Sequence, residues 1–280
     1  MATRFNGVSA DVHVGVRRPV VPKLGRIFEV AGSSERARHT ARVEINELGQ
    51  PVGDVVQGWD VPGMPSVPTF TGQYCRLERL DTDRHADQLF AADALDVEGA
   101  SWTYLPYGPF ADRSGYREWI TGVAPCLDPF FYAVVATDPS GQSAPGTAVG
   151  VLSYLRIAPT AGSIEVGHVH FSPLLQQHRA ATEAQFLLMH HVFDDLGYRR
   201  YEWKCDSLNA PSCAAATRLG FHYEGTFRQD RVVKGRNRDT AWYSITDAEW
   251  PRVRSAFTAW LSAENFDDDG RQKAPLQARI

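Results

Sequence analysis

Between Ile164 and Thr182 the chain reads IEVGHVHFSPLLQQHRAAT, and it continues without a break into TEAQFLLMHHVFDDLGY. A strand-like stretch that ends in a short loop and opens into a helix presents backbone N–H groups and the positive helix end to an anion. A cofactor pyrophosphate is the obvious guest. The same stretch carries groups able to move protons. Glu165 can take a proton directly or through water; otherwise it is an edge carboxylate paired with an arginine. His168 and His170 stand two residues apart, so a strand puts both on one face. Imidazole suits general-base work near neutrality, although a strand histidine is more often a packed, satisfied side chain. The H-x-H spacing also invites zinc. With no third ligand at close spacing and no partner cysteines, no metal is expected. Cys205 and Cys213 lack a histidine at an activating spacing, which leaves an acyl-cysteine route as a minor one.

The elements around this stretch follow from periodicity and punctuation. YCRLERL, from Tyr74, alternates as a strand, and DTDRHADQLFAADAL follows as a helix with Asp81 or Thr82 as N-cap. WTYLPYGPF is a proline-punctuated aromatic loop, and ADRSGYREWITGV a short helix with Tyr116, Trp119 and Ile120 on one face. FFYAVVAT and TAVGVLSYLRI flank the turn DPSGQSAPG as a hairpin. In the central helix, Ala184, Leu187, Leu188, Val192, Phe193 and Leu196 form an apolar stripe, with Gly197 at the C-terminal cap. YRRYEWKC alternates as a strand. NAPSCAAATRLG is a small-residue helix that Asn209 can cap and Gly220 can end. FHYEGTFRQD and DTAWYSI are strands about the basic turn VKGRNR, and DAEWPRVRSAFTAWLSAE is the last helix.

This order predicts a mixed α/β or α+β layer over residues 74–262. Residues 1–73 are predicted to form an arm with two short β-like pieces, GRIFEVAG and ARVEIN. A Gly/Pro-rich run follows them, anchored by Trp59, Met64 and Phe70. The first ten or so residues are expected to be disordered, and 263–280 to be a frayed polar tail. Composition is that of an ordinary globular chain: 280 residues, 43% hydrophobic and 22% charged. A net charge of −4, from 29 basic and 33 acidic residues, argues against a general polyanion binder. The four cysteines form no CxxC pair, so a reducing cytoplasm is the expected setting. There is neither a secretory-type start nor a run of about 20 apolar residues that would span a membrane.

Taken together, EVGHVHFSP, QQHRAATEA, YEWKCDSLNAPS, RLGF-x-x-EG and DTAWYSI resemble the GCN5-related N-acetyltransferase (GNAT) family over about Tyr74 to Ile245. Among its branches the RimJ/RimL type, which acetylates protein N-termini and small amines, is most similar. The resemblance implies a mostly antiparallel, splayed mixed sheet flanked by helices, with acetyl-CoA in the gap beside the central strand. The family loop is Q/R-x-x-G-x-G/A. Gln176 matches its first position and Ala181 its last, whereas Arg179 stands where the pattern has glycine. That arginine could spoil a close backbone approach, meet a phosphate from the side, or point to solvent. On this resemblance the cofactor is lined by Val169, His170, Phe171, Gln176, Gln177, His178, Arg179, Ala180, Ala181, Thr182, Asn209 and Ser212.

Many members of the family place a tyrosine acid four residues before the final GF. Here Ala216 holds that position, and the N-x-x-S alternative is met by Asn209 and Ser212. The resemblance therefore makes Ser212 the hydroxyl near the departing thiol, although both residues also fit a plain helix start. Glu165, His170 and Asp230 compete for the base; Asp230 adjoins Arg231, which stands where relatives carry a carboxylate. The acceptor wall is expected from Trp102, Tyr104, Tyr107, Tyr223 and Glu224, with Lys234, Arg236 and Arg238 as a basic tip. The expected activity is direct acyl transfer from acetyl-CoA to a primary amine of a small molecule or protein N-terminus. Two rivals stay open: transfer from aminoacyl-tRNA, and a non-catalytic CoA-binding or interaction module. The oligomeric state, including a homodimer, is open too.

Overall fold

The computed structural model describes residues 44–137 and 143–278. In chain order it holds β1 (Glu44–Ile45), β2 (Pro51–Val52), β3 (Thr69–Thr71), β4 (Cys75–Arg79), α1 (Thr82–Asp93), α2 (Arg113–Val123), β5 (Phe130–Ala136) and β6 (Ala148–Ala158). After these come β7 (Ser163–Phe171), α3 (Arg179–His190), β8 (Arg200–Asp206), α4 (Ala210–Arg218), β9 (His222–Val233), β10 (Arg236–Thr246) and α5 (Trp250–Leu261). β1 and β2 pair with each other. The other eight strands form one sheet in the order β3-β4-β5-β6-β7-β8-β10-β9. Every neighbouring pair is antiparallel except β7 and β8, which run parallel. The expected mixed, mostly antiparallel sheet flanked by helices is the fold observed.

Each face of the sheet is covered by helices whose apolar stripes match it. On one face Leu89, Trp102, Tyr116 and Ile120 close over Phe131, Ala133, Val135 and Val151. On the other, Leu188, Val192, Phe257 and Trp260 close over Tyr132, Val134, Leu152 and Tyr201. β5, covered on both sides, is accordingly apolar at every position. Asp81 caps α1 by accepting from the Arg84 N–H, Asp112 caps α2 in the same way, and Asn209 caps α4.

Four expectations are corrected, and a fifth lies outside the described residues. α3 does not continue as a regular helix to Gly197; from His191 to Asp195 it widens into a π turn. The β9–β10 strands run through the basic segment, leaving only Lys234 and Gly235 as the turn. Their φ values of 48° and 75° fit a tight type I′ connection. Met64 is 46% exposed and anchors nothing, whereas Phe70 packs on Tyr132 and His191. The C-terminal segment is not frayed: Phe266, Leu276 and Ala278 are buried, and Asn265 bonds Ala274 in both directions. GRIFEVAG and the first ten residues lie outside the described residues. No helix among those described is long and apolar enough to cross a membrane.

One buried carboxylate fixes where α3 starts. Glu183, the fifth residue of α3 and 4% exposed, accepts from the backbone N–H groups of Gln73, Tyr74 and Cys75 at 2.7, 2.7 and 2.8 Å. Gly72 must lack a side chain there, because a Cβ would sit 2.4 Å from the Glu183 carboxyl carbon. Glu183→Gln replaces an acceptor oxygen by a donor facing donors, and should cost about 2–4 kcal/mol. Urea unfolding measures it; a loss below about 0.5 kcal/mol would contradict this account.

Candidate functional site

The parallel ladder between β7 and β8 is short. It pairs Ser163–Val166 with Arg200–Trp203 and then stops. From Gly167 onward β7 stays bonded to β6 alone, while β8 continues along β10 to Asp206. The two strands part, and a gap opens between them toward the start of α3. Opposite the gap, the β6–β7 register slips by one residue around His168, whose φ is +51°. A non-glycine residue in the left-handed region at a bulge is stored strain, of the kind that gathers at functional sites.

The loop leading to α3 is tied down from within. Gln176 Nε2 donates to Phe171 O at 2.8 Å, and the N–H groups of His178 and Ala181 go to Leu175 O and His178 O. The His178 ring caps the helix by accepting from the Ala180 N–H at 3.2 Å. Gln177, at φ +60°, carries the left-handed turn. Arg179 is helical, as the first residue of α3, so its backbone needs no glycine. Its guanidinium lies over Tyr74 at 4.2 Å and Phe266 at 4.9 Å. Thr182 accepts from Arg218 Nη1 at 3.1 Å, joining the first turn of α3 to the end of α4. The parted strands and the α3 helix start fit an elongated cofactor with an anionic end, with Val169 and Phe171 on the β7 side of the gap.

On the β8 side stand Asn209 and Ser212. Asn209 Oδ1 accepts from the Ser212 N–H at 3.1 Å, and the Ser212 hydroxyl accepts from Trp203 Nε1 at the same distance. The indole leaves the hydroxyl hydrogen of Ser212 available to another acceptor.

The candidate bases sit in very different surroundings. Glu165, 3% exposed, is ion-paired with Arg156 and with Lys204 at 2.9 Å. Lys204 Nζ also meets Glu202 at 2.7 Å and lies 3.7 Å from the centre of the Trp242 ring. Asp230 accepts from Thr240 Oγ1 at 2.7 Å and from Arg231. Burial pushes its pKa up, but those two hydrogen bonds and the Arg231 charge prevail and hold it below the usual range. His170 is buried and stacked on Trp102, with ring centres 3.6 Å apart. Its Nε2 faces Ser101 Oγ at 2.9 Å, and its Nδ1 faces Asp93 at 3.4 Å. Both its nitrogens are therefore turned to the protein.

Sequence reasoning weighed His168 beside His170 for general-base work and carried only His170 forward, whereas the geometry draws attention to His168. Its Nδ1 meets Tyr107 Oη at 3.0 Å, and its ring is half-buried between Tyr107 and Phe131. Burial first, and Arg156 second, push its pKa down to about 4, so near neutrality it is the proton-accepting form. The adjoining H-x-H pattern was the signal; the bulge that distinguishes the two histidines was not legible in it.

The expected acceptor wall divides. Trp102 is 3% exposed and packs edge-on against Phe110, Tyr116 and Trp119, a core position. Tyr104 instead reaches across and donates to Leu208 O at 3.1 Å, while Lys234 at the hairpin tip donates to Trp102 O at 2.8 Å. Both bonds bridge the aromatic loop to the β8 side. Tyr223 and Glu224 lie toward the closed end of the sheet, opposite Tyr243 and bonded to Ser244 and Arg200. At the open end, a β9–β10 bulge around Gln229 shapes a shallow, open surface hollow lined by Phe227, Arg228, Gln229, Asp230, Asn237 and Asp239. Apart from Asp230, sequence reasoning missed this lining, because it depends on a register shift that leaves no local signal.

Comparison with known proteins agrees with this geometry. A profile of acetyltransferase (GNAT) domains matches residues 75–222. A GCN5-related N-acetyltransferase from Brucella melitensis is 46% identical, covering 79% of this chain and 98% of its own, with a TM-score of 0.75. A probable GNAT-family acetyltransferase from Chromobacterium violaceum is 42% identical over 72% of this chain and 98% of its own, at 0.65. The microcin C7 self-immunity acetyltransferase MccE, solved with acetyl-CoA and AMP, shares the fold at 18% identity and 0.54, over 62% of this chain and 93% of its own. Among curated proteins no sequence matches the chain.

The Asp93–His170 contact makes a sharp prediction. Tyr116 Oη donates to Asp93 Oδ2 at 2.6 Å, while Asp93 Oδ1 and His170 Nδ1 are buried without a hydrogen-bond partner. Burial raises the Asp93 pKa from 3.8 to about 7, against the opposing Tyr116 hydrogen bond. A carboxyl whose folded pKa lies above its unfolded value stabilises fully below about pH 4 and loses that contribution as pH rises through 7. Asp93→Asn should therefore gain stability over the parent between pH 4 and 8, on the order of 2–4 kcal/mol. Thermal unfolding across that range checks it; a pH-independent difference would contradict it.

Proposed function

The chain belongs to the GCN5-related N-acetyltransferase family, and from that premise we propose that it transfers an acetyl group from acetyl-CoA to a primary amine. We place the acceptor among small-molecule amines and protein N-termini, as in the RimJ/RimL-type branch. The observation that carries this reading is the parting of β7 from β8 after Val166 and Trp203, with the first turn of α3 at its mouth. Asn209 and Ser212 stand on the far side of the gap, and their N-x-x-S spacing supports this reading.

The residues divide the work. The loop from Gln176 to Thr182 and the positive end of α3 hold the anionic end of the cofactor. Asn209 contacts its arm, and Val169 and Phe171 offer backbone groups along the open side of β7. The thioester, when bound, supplies an activated acyl carbon and a thiolate leaving group. Ser212 Oγ, positioned by the Trp203 indole, lends a proton to the departing sulfur.

For the base, Glu165 and Asp230 are held by cations, and His170 is turned inward. His168 Nε2 is the group we assign to take the proton shed by the amine, with Tyr107 orienting the ring through Nδ1. Tyr107, on which the His168 ring stacks, lies beneath the acceptor, with Trp102 packed behind it in the core. Tyr104 and Lys234, bonded across the gap, limit its width.

Titration calorimetry with acetyl-CoA tests binding, and the reading fails if none is seen at millimolar concentration. Ser212→Ala and His168→Gln should each lower kcat about 10²-fold or more, with acetyl-CoA affinity within about threefold of the parent. Unchanged turnover in either variant removes that residue from the mechanism.

A further inference from the structure

Two thiols meet beside Ser212. Cys205 Sγ and Cys213 Sγ lie 3.6 Å apart, one near the end of β8 and the other in the first turn of α4. The pair is asymmetric: Cys205 is buried, while Cys213 is partly open to solvent. The other cysteines are placed differently. Cys75 sits in the core beneath Glu183, and the Cys126 thiol, just past α2, donates to Gly122 O in the last turn of that helix. A sulfur–sulfur approach of this kind needs only side-chain rotation and a small shift of one element to reach bonding distance, about 2.05 Å.

We propose that Cys205 and Cys213 form a redox-active dithiol that peroxide converts to a disulfide, and that this bond displaces Ser212 and slows acyl transfer. The first step takes place at the accessible sulfur: the Cys213 thiol and hydrogen peroxide give a sulfenic acid and water. Cys205 sulfur then attacks the sulfenic sulfur, forming the S–S bond and releasing a second water. Two thiol hydrogens and two electrons pass to one peroxide, and a dithiol reductant reverses the change. Burial pushes the Cys205 thiol up to about 12, so it is the poorer nucleophile toward peroxide and leaves the first oxidation to the more open Cys213.

The two elements do not yield equally. At Cys205, β8 is fixed by its pairing with Ala241 of β10. The first turn of α4 is held by side-chain bonds, the Asn209 cap and the Trp203 indole bond to Ser212. Closing the sulfur gap by about 1.5 Å therefore moves α4, and Ser212, next to Cys213, shifts relative to the Trp203 indole that positions it. The kinetic consequence rests on the role assigned to Ser212 above; the disulfide itself does not.

The experiment treats the full chain with hydrogen peroxide, blocks remaining thiols with N-ethylmaleimide in denaturant, and maps the peptides by mass. A Cys205–Cys213 cross-linked peptide two hydrogens lighter than the dithiol is expected. Turnover should fall at least tenfold and return with dithiothreitol. Cys205→Ser and Cys213→Ser should keep the reduced enzyme's turnover and lose the peroxide response. Thiols that stay free, or that oxidise without cross-linking, overturn the proposal. A cross-link with unchanged turnover overturns its regulatory half. A cross-link in a protein that transfers no acetyl group even when reduced supports the dithiol and counts instead against the proposed function.

Discussion

The structure depends on a carboxylate that never meets solvent. Glu183 receives three backbone N–H groups from the chain entering β4, and so ties the N-terminal half of α3 to the opposite half of the sheet. A buried charge is tolerated only where hydrogen bonds replace water, and here they come from backbone, which cannot swing away. Because α3 is held at its N-terminal end, its positive pole stays at the mouth of the gap. Were it held only at its C-terminal half, the π turn from His191 to Asp195 would sit between the anchor and the site.

The second constraint is the short ladder between β7 and β8. Parallel pairing ends after Val166, and the chain covers the consequences with charge and aromatic surface. At the apex Lys204 bridges Glu165 and Glu202, and beyond it Arg200 joins Glu202 to Glu224. Such a chain of alternating charges lets ions compensate one another, the buried side chains of Glu165 and Lys204 at its centre included. It also withdraws Glu165 from proton transfer, because removing its charge would leave two cations facing each other. In the proposed reaction the proton passes instead to imidazole, whose neutral form needs no counter-ion.

Much of this was legible in the sequence. β4, β5, β6 and β8 follow from period-two or continuous apolar runs, and the caps Asp81 and Asn209 follow from residue type and position. What escaped depends on contacts distant in sequence. Glu183 reads locally as a favourable first-turn charge, and only the fold shows that its partners lie about 110 residues earlier. The bulges at His168 and Gln229 come from register between strands, which a single strand's pattern does not encode. The tail looked polar because DDDGRQK dominates it, although Phe266, Leu276 and Ala278 are what hold it.

Arg179 shows how a motif and its physics can separate. The loop pattern asks for glycine there, and glycine is needed for two reasons: a left-handed backbone or room for a close approach. The first reason does not apply at Arg179, which is helical; the left-handed residue is Gln177, two positions earlier. The second is relieved by where the side chain goes. Its guanidinium lies over Tyr74 and Phe266, on the side of α3 that Glu183 ties to β4. Phe266 belongs to the C-terminal segment that composition suggested was loose. The ordered tail and the altered loop are thus one adaptation: the arginine occupies the glycine position by leaning away from it, and the tail supplies the aromatic face on which it leans.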